Sequence, residues 1–292
     1  MKTYVMYNSL SGNGNGAVRA EKLRGVWSDK DLVYQDLQQE DDYQALFARI
    51  APEDEVVICG GDGTLNRFVN QIEGMQIVNP IYYYPAGSGN DFWNDLGRGE
   101  EDEPVRLEPY VKNLPIVVVN GTRQRFINGI GYGIDGYCCE AGDDLRAKSD
   151  KPINYTGIAI KGMLFYYKPT HAEIKVDGEY FVYDRVWLAP TMNGRFYGGG
   201  MMATPGQDRL NEAGTVTMMT MYGKGKLGTL MIFPSIFKGE HVKHTDAVTV
   251  RSGKEVTVKF DRPVALQIDG ETVRSVTEYT VIAGHPASLD AE

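Results

Sequence analysis

Gly60-Gly61-Asp62-Gly63-Thr64 follows Val56-Val57-Ile58-Cys59 and precedes Leu65-Asn66-Arg67-Phe68-Val69-Asn70-Gln71-Ile72. The apolar run, rich in β-branched residues, predicts a strand buried on both faces, as in parallel sheets. Leu65, Phe68, Val69 and Ile72 fall at i, i+3, i+4 and i+7, which predicts a helix with one apolar stripe. The glycines therefore mark a sharp strand-to-helix turn where backbone amides can approach a ligand closely. The helix N-terminus adds amides without intrahelical acceptors and a partial positive charge. Such a turn favours an anion, most often a phosphate. Asp62 suits that setting if a cation lies between it and the phosphates, as in a Mg²⁺-bound nucleotide. No Gly-x4-Gly-Lys-Ser/Thr run occurs, so this is not an ordinary P-loop.

Two further turns have the same character. Tyr4-Val5-Met6-Tyr7 predicts a strand, Asn8 to Gly16 a glycine-rich turn, and residues 17–27 a helix. Gly12, Gly14 and Ala17 match G-x-G-x-x-A, with Asp36 further on. Four residues separate the strand from Gly12, however, whereas a dinucleotide fingerprint opens its turn at once, so this match is weak. Residues 32–34 predict a second strand and 43–50 a helix. Ile81-Tyr82-Tyr83-Tyr84 predicts a strand ending in Pro85-Ala86-Gly87-Ser88-Gly89-Asn90-Asp91-Phe92-Trp93. Ser88 and Asn90 can bond phosphate or ribose, or cap the next helix. Three such turns at strand C-terminal ends define one crevice in an open α/β sheet.

Residues 99–104 are acidic and read as a solvated loop near a domain edge. Beyond about residue 113, short strands are predicted at 115–119, 124–127, 172–176, 186–189, 215–219, 247–250, 256–259 and 265–268. Asn120-Gly121 and Asp177-Gly178 are hairpin turns. One helical insertion is predicted at 155–167. The expected architecture is α/β plus all-β. An open α/β nucleotide-binding domain (1–113) precedes an antiparallel β-sandwich domain (114–280), the active site lies in the cleft between them, and a tail (281–292) returns to the first domain.

The 292 residues are 42% hydrophobic and 24% charged, an ordinary globular composition. A net charge of −9 argues against nucleic acid as a partner and against a general polybasic attraction to lipid. Three cysteines give no disulfide framework, and no signal-peptide region or spanning apolar run is seen; both fit a cytoplasmic setting. The four histidines, His171, His241, His244 and His285, are scattered and read as surface residues.

Taken in order, these blocks resemble the diacylglycerol kinase catalytic-domain family, specifically its soluble bacterial lipid kinases, which are similar to sphingosine and ceramide kinases. Asn8-x-x-Ser11-Gly12 looks like the family's opening block, with Ser9 where proline is usual. Gly60 to Thr64 is its signature, followed by Asn66. Pro85 to Phe92 looks like a further block, with Ser88 for threonine. Asn128-Gly129-Ile130-Gly131, Gly133-Ile134-Asp135, Tyr197-Gly198-Gly199-Gly200 and Asp269-Gly270-Glu271 fit the later blocks. NAD kinases share the Gly-Gly-Asp-Gly core and the two-domain plan, but not the later blocks.

The resemblance implies ATP-dependent phosphorylation of a lipid hydroxyl, diacylglycerol or a related lipid, within phospholipid metabolism. It places ATP on Asn8, Ser11, Gly12, Gly60, Gly61, Asp62, Gly63, Thr64, Asn66, Ser88, Asn90 and Asp91. Asp62 would act through Mg²⁺, and Glu271 would be the general base. Asp269-Gly270-Glu271 is equally readable as a plain hairpin turn. The family's structural Mg²⁺ segment departs from pattern here. Ala213 precedes Gly214 where an aspartate is expected, so that site is absent or rebuilt from Asp208 or Glu212. The lipid acceptor implies peripheral contact with the inner membrane surface. Residues 224–244, mixing lysines with Met231, Ile232, Phe233, Ile236 and Phe237, read either as an interfacial segment or as a core-packed helix with a lysine edge. A homodimer is left open. The alternatives are a kinase of a soluble hydroxyl such as NAD, and a non-catalytic nucleotide- or lipid-binding module.

Overall fold

The computed structural model describes residues 1–99, 102–148 and 153–284. The chain divides into two compact units, Met1–Lys112 and Asn113–Glu292. In the first, strands β1 (Thr3–Tyr7), β2 (Leu32–Asp36), β3 (Glu55–Gly60), β4 (Ile81–Pro85) and β5 (Val105–Arg106) form a sheet of order β2-β1-β3-β4-β5. The first four are parallel, and β5 runs antiparallel to β4. The run Val56 to Cys59 is buried throughout, as its lack of alternation requires. Val5 and Val57 pack with Ala20, Leu23 and Trp27. Phe68, on the buried stripe of α5 (Asp62–Gln71), meets Tyr43 and Phe47 of α4 (Tyr43–Ala48).

The helix expected at 17–27 is three short pieces, α1 (Ser11–Gly14), α2 (Gly16–Glu21) and α3 (Leu23–Val26). Bonds of i→i+3 type, Asn15 N–H to Gly12 O and Lys22 N–H to Arg19 O, tighten the junctions between them. Helix α6 (Asp91–Asp95) follows the third glycine-rich turn, and α7 (Glu108–Val111) ends the unit. The acidic loop expected at 99–104 lies partly outside the described residues.

The second unit is antiparallel. Its strands are β6 (Ile116–Val119), β7 (Thr122–Arg125), β8 (Gly129–Tyr132), β9 (Thr170–Val176), β10 (Glu179–Val186), β11 (Thr191–Met192), β12 (Phe196–Tyr197), β13 (Met201–Met202), β14 (Val216–Met221), β15 (Val248–Gly253), β16 (Glu255–Ile268) and β17 (Glu271–Ile282). The order is β15-β14-β11-β8-β16-β17-β6-β7. β9 joins at β16, β10 pairs β9, and β12–β13 form a separate hairpin. The expected strands 256–259 and 265–268 are one strand, β16. Its first half pairs β9 and its second half pairs β8, with register shifts around Val264. Across that interruption Tyr132 of β8 stacks on Phe260 with ring centroids 3.9 Å apart. Apolar residues from both halves share one core, among them Ile174, Val258, Leu266 and Tyr279.

Two expectations for this unit, a single helical insertion and a surface His241, need correction. Besides the insertion at 155–167, which is α9 (Tyr155–Lys161) and a π turn (Gly162–Tyr166), the unit contains α8 (Ile134–Arg146) and α10 (Lys226–Ile232). Residues 281 and 282, the start of the expected tail, end β17, paired with Val117 and Ile116. Residues 285–292 lie outside the described residues, and His285 with them. His241 is buried, with its Nε2 2.9 Å from the Ala203 carbonyl oxygen. Finally, residues 224–244 divide between the two readings. Ile232 and Ile236 are buried and Phe233 packs against the core, while Leu227, Met231 and Phe237 are exposed. Among the described residues no helix is long and apolar enough to cross a membrane.

Candidate active site

In the first unit the turns after β1, β3 and β4 meet at the carboxyl ends of the strands, where the order of an open sheet reverses and ligands bind. Asn8 Nδ2 donates to Thr64 Oγ1 at 3.2 Å, and the Ser11 and Thr64 hydroxyls lie 3.0 Å apart. Asn8 Oδ1 accepts from Leu10 N–H and Gln38 Nε2. Asp36 accepts the amides of Ser9 and Gln38. Burial alone would raise its pKa, but the Ser9 hydroxyl together with the two amides outweighs burial and lowers it. Asp36 thus braces the first turn from within.

The second and third turns touch through backbone. A Cβ on Gly87 would stand 2.2 Å from Gly61 Cα, and one on Gly61 would stand 2.8 Å from the Gly89 carbonyl oxygen. Asp62 N–H donates to that oxygen at 3.3 Å, and Ala86 N–H donates to Gly60 O at 2.9 Å. The Asp62 carboxylate is buried and accepts from Asp91 N–H (2.8 Å) and Phe92 N–H (3.0 Å), the first amides of α6. Tyr83 Oη donates to Gly60 O at 2.9 Å; burial first, and Asp62 nearby, push its pKa well up. Arg19 of α2 donates to the carbonyl oxygens of Gly87 and Ala86. Sequence reading missed Arg19, whose partners lie 67 and 68 residues away.

The structure therefore brings Asn8, Ser11, Gly12, Gly60 to Thr64 and Asn90–Asp91 to one end of this sheet. Ser88 is exposed. Asn66 is buried, with Asn70 Nδ2 donating to its carbonyl oxygen at 2.9 Å. The arrangement suits a phosphate. Gly63 and Thr64 lie in the first turn of α5, where amides have no intrahelical acceptor. Asn90 Oδ1 is buried without a partner, an acceptor that a ribose hydroxyl would satisfy. Asp62 fits the metal reading less well, because both carboxylate oxygens already hold the next helix.

In the second unit Asp269-Gly270 is a tight hairpin turn with φ of +46° and +94°. The buried Asp269 carboxylate accepts the amides of Ile127 (2.5 Å), Asn128 (2.9 Å) and Gly129 (3.0 Å). Gly270 N–H donates to Gln267 Oε1 at 2.7 Å. Glu271 follows, exposed, at the first position of β17. It lies near Cys139 of α8, whose thiol is pushed up to about 12 by burial first, then by Asp135, Asp143 and Glu271. The Asp135 carboxyl accepts from Tyr197 Oη at 2.9 Å, and burial raises its pKa to about 6. The glycines of 198–200 make the turn between β12 and β13.

Asp208 and Glu212 are exposed. Their loop is closed by Asn211, whose Nδ2 donates to the carbonyl oxygens of Asp208 (2.7 Å) and Thr215 (2.9 Å) and whose Oδ1 accepts from Thr215 N–H (3.0 Å). Among the described residues no three His, Cys, Asp or Glu side chains cluster as metal ligands.

Residues 2–122 match the family model for the diacylglycerol kinase catalytic domain, and residues 128–289 match that for the YegS C-terminal NAD kinase beta sandwich-like domain. The chain belongs to the diacylglycerol kinase catalytic-domain family. A curated relative named diacylglycerol kinase, from Mycobacterium tuberculosis, is 27% identical over 86% of this chain and 83% of its own. Another of that name, from Bacillus subtilis, is 25% identical over 75% of this chain and 71% of its own. A solved structure from Bacillus anthracis str. Sterne, titled a diacylglycerol kinase, superimposes with a TM-score of 0.57 at 18% identity, over 97% of this chain and 94% of that one. A second structure from that strain gives 0.63 at 18%, over 98% and 96%. These structures support the α/β plus β-sandwich fold. The family is one of kinases.

Proposed function

We propose that the protein transfers the γ-phosphoryl group of ATP to a lipid hydroxyl, that of diacylglycerol or a related lipid. The reading is carried by the interlocked glycine turns at the strand ends of the first unit, together with family membership and the names of the relatives. In this reading the amides of Gly63 and Thr64 cradle phosphate oxygens, and Asn8, Ser11 and Asn90 orient the nucleotide. Phosphoryl transfer depends chiefly on such positioning and on charge neutralisation. Mg²⁺ bound with the nucleotide supplies part of that neutralisation. Asp62 serves by fixing the α5 and α6 turns to each other.

Glu271 is the proposed general base, taking the hydroxyl proton as the new O–P bond forms and the γ-phosphorus bond to the β,γ-bridging oxygen breaks, releasing ADP. Asp269 is a positioning residue that holds the Glu271 hairpin on three amides. The test is Glu271→Gln. Turnover is expected to fall by ~10²–10⁴-fold with nucleotide binding unchanged; near-wild-type turnover removes Glu271 from this role. The second unit's NAD kinase-like family description favours a soluble acceptor as the competing reading. Label from γ-labelled ATP appearing in diacylglycerol micelles supports the lipid acceptor, and label appearing in NAD overturns it.

A further inference from the structure

Behind the Glu271 hairpin lies a buried acid that the phosphoryl-transfer reading leaves unused. Gly131 of β8, Gln267 of β16 and Thr272 of β17 stand opposite one another in register, so these positions share one face of the sheet. Gly131 has no side chain, and two polar groups fill its place. A Cβ there would stand 2.0 Å from Asp135 Oδ2 and 2.6 Å from Gln267 Nε2. The carboxylate oxygen and the amide nitrogen therefore face one another across the hollow that glycine leaves. Helix α8 can bring Asp135 this close because Gly136 follows it. A Cβ on Gly136 would stand 1.9 Å from the Ala265 carbonyl oxygen, so no larger residue would let the helix settle on β16.

The remaining bonds lead to the hairpin. Asp135 Oδ2 accepts from Tyr197 Oη and Oδ1 from Gly136 N–H, each at 2.9 Å. Gln267 is 2% exposed, and its other end, Oε1, accepts from Gly270 N–H at 2.7 Å. Gly270 directly precedes Glu271. A carboxylate only accepts, so it selects the amide orientation with nitrogen toward Asp135 and oxygen toward the turn. The Thr272 hydroxyl, opposite Gln267, is buried without a partner, and it would claim the amide if that orientation were lost. The groups that face Asp135 are Tyr197 from β12, Cys138 and Cys139 from α8, Tyr167 after the π turn and Tyr279 from β17, none of them cationic. Arg262 lies over the Tyr167 ring, 5.6 Å from its centroid, while Asp143, Arg146 and Glu271 face Cys139. A buried carboxyl without a cation costs stability. What it supplies here is a fixed amide orientation.

We infer that Asp135 and Gln267 are positioning residues for Glu271: the carboxylate fixes the Gln267 amide, and the amide oxygen fixes the Gly270 N–H and so the direction in which the chain enters Glu271. The inference rests on Glu271 as the base, yet the link itself is read without turnover. The full chain is compared with Asp135→Asn, Gln267→Met and the two combined. Hydrogen exchange of the Gly270 amide, followed by NMR, should quicken by ~10-fold or more in each. In the wild type the same protection, corrected for intrinsic exchange, should weaken on acidification through pH about 6, where burial places the Asp135 proton. That readout needs no variant, so it stands if Asp135→Asn does not fold. With a short-chain, water-soluble diacylglycerol, kcat should fall by ~10-fold or more in both single variants while KM for ATP stays unchanged. The combined variant should lose no more than the worse single one, because both act on one bond. Thr217→Val removes a buried hydroxyl bonded to Gln207 and Ser252 in the same unit. It should lower the melting temperature and leave Gly270 exchange and kcat as in the wild type. Unchanged Gly270 exchange in Asp135→Asn or Gln267→Met overturns the inference. So do quickened exchange with undiminished kcat, additive losses in the combined variant, and an equal response in Thr217→Val. A wild type that transfers no phosphate to the diacylglycerol sinks the lipid-acceptor reading, and Gly270 exchange then still decides whether Asp135 acts on the hairpin.

Discussion

Gly87 shows how little room a single residue has in the glycine-rich turns of the first unit. The missing Cβ is occupied by the backbone of Gly61. Gly87→Ala must separate the two turns, at a cost of about 1–3 kcal/mol for forced overpacking. A lower melting temperature and loss of binding to a non-hydrolysable ATP analogue are expected. Wild-type melting and binding together would show that the contact is dispensable. Asp135 makes a prediction of the opposite kind. Its pKa is about 6 in the folded chain against an ordinary 3.8, because burial penalises its charge. Between those values the folded state holds a proton that the unfolded state has lost, so stability falls as pH rises through this window. The span corresponds to roughly 3 kcal/mol. Denaturant titrations at several pH values should show this decline in the wild type and a flatter profile in Asp135→Asn. Identical profiles would count against the shift.

At the scale of elements, the 205–215 loop is closed by side-chain amide bonds. If Asn211 does the closing, exhaustive chelation should leave the thermal transition where it was. Asn211→Ala strips several bonds at once and should lower stability by about 1–3 kcal/mol. A transition that drops on chelation would instead point to a retained cation. β16 shows why some elements were illegible. Pro263 and the register shifts around Val264 interrupt the alternation, so one strand reads as two. In β17, Ser275 at φ +57° resets the alternation, and that strand was not predicted. Helix α8 was hidden for a different reason. Its sequence, Ile134-Asp135-Gly136-Tyr137-Cys138-Cys139, carries two poor helix formers early and buries an aspartate.

Across the whole molecule, the first unit was the more legible because its signals are local. Strand, glycine turn and apolar-striped helix succeed one another within a few residues, and the family blocks fall on those turns. The candidate site was legible as a list of residues and illegible as a set of roles. Nothing near Asp62 in sequence announces that its carboxylate holds amides 29 and 30 residues away. Charge also belongs to this scale. With a net charge of −9, duplex DNA at physiological salt should show no mobility shift with this protein. A retarded band would reveal a basic surface strong enough to override the total.

The backbone contact between Gly61 and Gly87 has a practical consequence for protein engineering. Grafting either turn into another scaffold would leave it without the surface that shapes it. A library that randomises one turn must keep glycine in the other, or the two will compete for the same few cubic ångströms. The pair behaves as one part, so variants of the proposed nucleotide site are more readily sought at its rim, at Ser88 or Gln38, than at its centre.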